Sequence, residues 1–156
     1  MIELRKITED NFNECIKLEP KEEQKRFVAP NIRSLAEAYV ALSNNDCIPM
    51  TYAIYNDDIM VGFIMLAYNE DEDHEEENVY WVCRLMIDKR HQGNGYGKEA
   101  MIKAIEVIRT FPYGKASKVS LSYEPENEGA KRLYASLGFI ETGIIEDDEM
   151  VANLIL

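Results

Sequence analysis

Three glycines at alternate positions in Gln92-Gly93-Asn94-Gly95-Tyr96-Gly97 have the make-up of an anion-binding loop. Glycine adopts positive φ freely and lets the backbone come close to a ligand. A helical pattern follows directly, with Ala100, Met101, Ala104, Ile105 and Ile108 at helical spacing. Free N–H groups and the positive end of that helix would converge beside the loop. Such a cradle suits a phosphate. The loop is not a P-loop, because no Gly-Lys-Ser/Thr follows at the required spacing. Nor is it the dinucleotide fingerprint, whose third glycine falls three residues after the second. The stretch ~20 residues on is still helix and turn, so no acid ends a second strand there to hold a ribose.

A second segment, Asn127 to Phe139, reads Asn-Glu-Gly-Ala-Lys-Arg-Leu-Tyr-Ala-Ser-Leu-Gly-Phe. Asn127 is a good N-cap, and Tyr134 lies two turns further along the same face. Gly129 and Ala130 are small enough to let a long ligand lie against this helix. A core tyrosine and a plain cap fit the same spacing.

Around these segments the pattern is mixed α/β. Ile2, Leu4 and Lys6-Ile7 begin a short strand. Thr8 offers an N-cap for a helix with Cys15 and Ile16 on its face. Pro20 and Pro30 bracket a polar connector. Ser34 and Glu37 form a capping box for a helix whose apolar face is Leu35, Ala38, Tyr39 and Leu42. Strands follow at about 50–56 and 59–68, joined by a turn at Asn56-Asp57-Asp58. The acidic segment 69–78 reads as a loop, and a strand runs over Val79–Ile87. Val119, Leu121 and Tyr123 alternate as another strand, parallel to the last because a helix connects them. Phe139–Ile145 and Met150–Leu156 form a final hairpin. With 156 residues and no repeat or flexible linker, one domain covering 1–156 is expected.

The net charge of −12 argues against a nucleic-acid partner and favours a cationic one. No apolar run reaches the ~20 residues of a membrane span, and the amino terminus has no signal-peptide pattern. Three cysteines without metal-ligand spacing fit a reduced, cytoplasmic protein. His74, inside the acidic segment, lacks fixed ligand geometry, and no metal is assigned. His91 reads as a surface residue of the loop.

Together the two glycine-bearing segments resemble the GNAT superfamily of N-acetyltransferases. Gln92, Gly95 and Gly97 match its Gln/Arg-x-x-Gly-x-Gly/Ala loop. Asn127, Ala130, Leu133, Tyr134, Gly138 and Phe139 match its later helix. The run Trp81 to Asp88 before the loop is similar to the bacterial spermine/spermidine acetyltransferase subgroup. The resemblance implies a mixed, mostly antiparallel twisted sheet of six to seven strands, about four helices and a central parallel strand pair. It implies acetyl-CoA as cosubstrate, a small cationic amine as partner and a homodimer. The strand backbone of Leu85, Met86 and Ile87 would pair with the pantetheine. N–H groups from Gln92 through Gly93, Asn94, Gly95, Tyr96 and Gly97 to Lys98 would hold the pyrophosphate. Asn127, with Ala130 beside it, would meet the pantetheine arm, and Tyr134 would sit at the thioester sulfur.

Amine acetylation by direct attack needs a neutral nitrogen, a stabilised oxyanion and a protonated leaving thiolate. Tyr134 is the expected proton donor, and an N–H near Met86 the expected oxyanion donor. Cys83 has no neighbouring His to activate it and reads as a core residue. The general base is not legible. The run Glu70 to Glu77, with seven of the 29 acids, should lie about 25 Å from the glycine loop, at the other end of Val79–Ile87. It reads as a solvated turn. Glu146, Asp147, Asp148 and Glu149, at the tip of the last hairpin, could instead face the acceptor, as could Glu22 and Glu23. Trp81 fits either the core or the acceptor wall. A protein amine, an aminoglycoside or an amino acid is an alternative acceptor. A non-catalytic acyl-CoA-binding module is the alternative from another class.

Overall fold

A computed structural model describes residues 1–156. Its chain order is β1 (Ile2–Lys6), α1 (Phe12–Lys17), α2 (Asn31–Ser43), β2 (Ile48–Asn56), β3 (Ile59–Asn69), β4 (Val79–Ile87), α3 (Tyr96–Arg109), β5 (Lys118–Tyr123), α4 (Glu128–Ser136), β6 (Ile140–Glu146) and β7 (Glu149–Ile155). Short 3-10 turns at Glu22–Gln24 and Glu75–Glu77 lie in the connections. The seven strands form one sheet in the order β1-β2-β3-β4-β5-β7-β6. Every neighbouring pair is antiparallel except β4 and β5.

Helices cover both faces, which explains why β3 is an almost unbroken apolar run. Ile64, Leu66 and Tyr68 point to one face, where α3 buries Ala100, Met101, Ala104, Ile105 and Ile108. Phe63 and Met65 point to the other, packing with Cys15, Leu18 and Met86, with Leu35 and Ala38 of α2 alongside. The period of two thus divides one strand between two cores.

The functional geometry begins where β4 and β5 part. They pair only at Tyr80↔Val119, Trp81↔Ser120 and Val82↔Leu121. On its other edge β4 has a bulge. Leu66 pairs with Val82 and Met65 with Arg84, so Cys83 has no opposite number. An extra residue bends and twists its strand. Beyond it, Leu85, Met86 and Ile87 stay paired to β3 while their other edge is open.

Two helix starts differ from the sequence expectation. The second helix begins at Asn31, directly after Pro30, and the Ser34 N–H bonds the Pro30 carbonyl at 3.1 Å. Ser34 and Asn31 are therefore inside the helix and buried, while Tyr39 is 73% exposed. Asn31 Nδ2 donates to the Cys15 carbonyl at 2.9 Å, so a polar contact directs this face and apolar periodicity misreads it. Thr8 caps no helix with its side chain. Its N–H donates to Asn11 Oδ1 at 2.7 Å, and α1 starts after Asn11.

Candidate active site

A cavity of about 730 Å³ fills the gap between the parted strands. Val82 to Ile87 form one wall, and Ser122, Tyr123 and Glu124 from the end of β5 form another. The glycine loop and start of α3 close one end; Asn127, Gly129, Ala130, Leu133 and Tyr134 of the α4 segment close a side. The connector from Gln24 to Pro30 completes the lining.

At the glycine loop, Gly93 and Gly95 have φ of +82° and +80°. Gly95 is the N-cap of α3 and has no side chain to cap it. The first N–H groups of this 14-residue helix are thus left without a side-chain acceptor, at the positive end of its dipole. Tyr96 anchors the helix start by accepting from Asn56 Nδ2 at 2.9 Å.

The open edge of β4 has a definite set of donors and acceptors. The Asp88 N–H bonds the Val61 carbonyl of β3 at 2.8 Å. A trans peptide places its N–H and carbonyl on opposite sides, so the Ile87 carbonyl points away from β3. There it accepts from Gln92 Nε2 at 2.9 Å. Alternation turns the backbone groups of Leu85 and Ile87 to the open edge and those of Met86 toward β3. A Cβ on Gly62 would collide with the Met86 carbonyl oxygen, which accords with that direction. The backbone N–H groups on the open edge beside Met86 are therefore those of Leu85 and Ile87, while that of Met86 faces β3.

On α4, Asn127 Oδ1 accepts from the Ala130 N–H at 3.2 Å, so its cap role is occupied and its Nδ2 has no partner within the chain. Tyr134 packs against Tyr123 and Phe139 at ring-centre distances of 5.8 and 5.9 Å, with its hydroxyl unpaired. Burial, with a smaller contribution from Glu149, pushes its phenol up to about 12. Glu149, at the start of β7, lines the cavity and accepts from the Ser122 hydroxyl at 3.4 Å. Burial raises its carboxyl pKa and Glu124 adds to the rise, while Ser122 and Arg84 oppose it. Cys83 lines the cavity as well, with its thiol pushed by burial up to about 11.

Of the other acidic candidates, Glu146, Asp147 and Asp148 do not line the cavity. Asp147 and Asp148 take positive φ, making a tight turn that extends into solvent beyond Glu149. Glu22 is held by Lys25 at 2.9 Å, and neither it nor Glu23 reaches the cavity. Trp81 sits in the closed part of the β4–β5 seam, before the strands part. Asn94 turns its amide back onto the His91 carbonyl at 3.0 Å. His91 reaches the cavity wall, whereas residues 70–77 do not.

Sequence reasoning missed Ser122, Glu124, Arg84 and the connector 24–30. The first two were within reach, because the C-terminal end of a strand parallel to β4 lies at the same end of the sheet as that of β4. Arg84 and the connector carry no pattern. Arg84 donates to Glu37 of α2 at 2.9 Å and to the Cys83 carbonyl at 2.8 Å, tying the bulge to α2.

An uncapped helix behind a glycine loop, a free strand edge and a long cavity between them fit a pantetheine with a pyrophosphate at one end. The chain belongs to the GNAT acetyltransferase family, whose model matches residues 3–139. It is an acetyl-CoA-dependent N-acetyltransferase. It is 29% identical to the spermine/spermidine N(1)-acetyltransferase of Bacillus subtilis (strain 168) over 93% of this chain and 91% of that one. Its fold is similar to PaiA N-acetyltransferase from Thermoplasma acidophilum in complex with coenzyme A, with a TM-score of 0.73, 15% identity and coverage of 100% and 99%. It is also similar to the spermidine N-acetyltransferase of Vibrio cholerae in complex with CoA and spermine, with a TM-score of 0.68, 17% identity and coverage of 99% and 94%. No helix is long and apolar enough to cross a membrane.

Proposed function

We propose that this enzyme acetylates a primary amine of a polyamine, spermine or spermidine, by direct attack in a ternary complex. The observation that carries this reading is Glu149, a half-buried carboxylate inside the cavity, its pKa raised by burial and then by Glu124, with Tyr134 beside it. Burial and the neighbouring Glu124 charge both disfavour the ionised form of Glu149, and an ammonium group held beside it would relieve that cost. The Bacillus relative's name and the charge of −12 support the same class of acceptor.

In this mechanism the amine nitrogen attacks the thioester carbonyl carbon, so a C–N bond forms and the C–S bond breaks. N–H groups of Leu85 or Ile87 take the oxyanion. Tyr134 retains its proton at neutral pH and gives it to the departing sulfur, then regains one from the acetylated nitrogen. Cys83 stays a thiol, which favours direct attack over an acetylated cysteine. Asn127 offers its free Nδ2 to the pantetheine arm.

The deciding assay measures thiol release from acetyl-CoA with spermine, spermidine and lysine-peptide controls. Turnover confined to other amines would remove the polyamine reading. Within a positive assay, Glu149→Gln should raise the polyamine KM about tenfold, as expected for loss of a charge-assisted contact, and shift the acetyl-CoA KM much less. Equal shifts in both would reject Glu149 as an acceptor contact.

A further inference from the structure

The cofactor loop is not held by its own helix alone. Its first residue, Gln92, is gripped by a residue from a distant part of the chain. Gln24 Nε2 donates to Gln92 Oε1 at 3.1 Å, and Gln92 Nε2 donates back to Gln24 Oε1 at 2.7 Å. Gln92 Nε2 also reaches the Ile87 carbonyl, the outward-facing acceptor at the end of β4. Gln24 Oε1 in turn accepts from the Lys21 N–H at 3.0 Å, which fixes the 3-10 turn carrying it. Neither amide is free to rotate without breaking several bonds, so the two side chains define each other's orientation.

We propose that Gln24 is a positioning residue for the acetyl-CoA loop: it locks the Gln92 side chain onto the Ile87 carbonyl and so fixes where the glycine loop leaves β4. The need for such a lock follows from the loop's composition. Gly93 and Gly95 leave the chain between Gln92 and the first turn of α3 with few conformational restraints. An anion cradle works only when its N–H groups already converge, since ordering them on binding costs affinity. The backbone joins the same two segments independently: Lys89 N–H bonds the Glu19 carbonyl at 2.8 Å, and Glu19 N–H bonds Asp88 Oδ2 at 3.1 Å. Those contacts set the distance between the segments, and the amide pair sets the direction of Gln92. Lys25 to Pro30, which follow Gln24, line the cavity. The pair therefore also joins that wall to the pyrophosphate end.

A double-mutant cycle on acetyl-CoA binding tests this. Calorimetry with Gln24→Ala, Gln92→Ala and the double variant should give about fivefold weaker binding for Gln24→Ala, the effect of one net hydrogen bond. The double variant should bind about as weakly as Gln92→Ala alone, because Gln24 acts through Gln92. In steady state the acetyl-CoA KM of Gln24→Ala should rise by more than its turnover falls. Gln24→Glu keeps the acceptor for Lys21 and Gln92 but loses the donor, so it provides a second variant should the alanine change loosen the turn. It should also weaken binding. Unchanged affinity in folded Gln24→Glu, or additive losses in the cycle, would overturn the proposal. Both outcomes are read on acetyl-CoA alone and leave the identity of the acceptor aside.

Discussion

Gly95 and Gly97 belong to one motif but answer different physical demands. Gly95 has φ of +80° with open space around a built Cβ, so conformation and not room requires it. Gly97 lies in the first turn of α3, where a Cβ would make ordinary contacts of 3.7 Å to Ile87 and 3.9 Å to Leu133. Gly95→Ala should therefore cost about 1 kcal/mol of stability, the penalty of left-handed backbone. Gly97→Ala should stabilise by about 0.5 kcal/mol through helix propensity. Urea unfolding of the two variants checks the contrast. Tyr134 has a different test. Tyr134→Phe keeps the ring against Tyr123 and Phe139 and removes only the hydroxyl, so turnover should fall about 100-fold with little change in acetyl-CoA affinity. Unchanged turnover would take Tyr134 out of the chemistry. With the phenol at about 12, its own ionisation should leave no mark on the pH–rate profile near neutrality.

Between elements, Asp88 is the joint that fixes the end of β4 to the connector after α1. Burial alone would raise its pKa, but bonds from the Arg90 side chain, the Arg90 N–H and the Glu19 N–H outweigh that and hold the carboxyl below its ordinary value of 3.8. The side chain is buried with only 2% exposure, so these bonds are poorly replaced by water. Asp88→Asn should lose about 2 kcal/mol at pH 7, as for hydrogen bonds to a charged group. The sign of the pH effect follows from the lowered pKa. Stabilisation from Asp88 is complete above the unfolded-state value and is lost as pH falls through the folded one. Denaturation midpoints of the wild type and Asp88→Asn should thus converge in acid and separate as pH rises to neutrality.

Over the whole molecule, the charge of −12 acts at a distance that no single contact covers. The run at 70–77 lies at the far end of β4 from the glycine loop, so under the polyamine reading it would act on the acceptor only through the overall field. Asp71 gives that loop local order, accepting from the Asp73 and His74 N–H groups at 3.0 Å each. Raising ionic strength should lower kcat/KM for a tri- or tetra-amine several-fold and for a monoamine much less, since screening grows with acceptor charge. An equal response would argue that the field plays no part in encounter.

Local chemistry was legible in the residues themselves. The Val79–Ile87 strand, the glycine loop, the buried face of α3 and the Asn127 cap each follow from neighbours a few positions apart, where backbone sterics and periodicity act directly. The second helix start was not legible, because Asn31 takes its place by reaching the Cys15 carbonyl, a partner from another element. The acidic lining of the cavity likewise depended on tertiary structure. Four adjacent acids at 146–149 look alike in sequence, and only the turn of the last hairpin puts Glu149 in the cavity and leaves three in solvent. The grip of Gln24 on Gln92 joins residues 68 positions apart. Such contacts are set by how the strands part and how the connector folds over them, which no local spacing records.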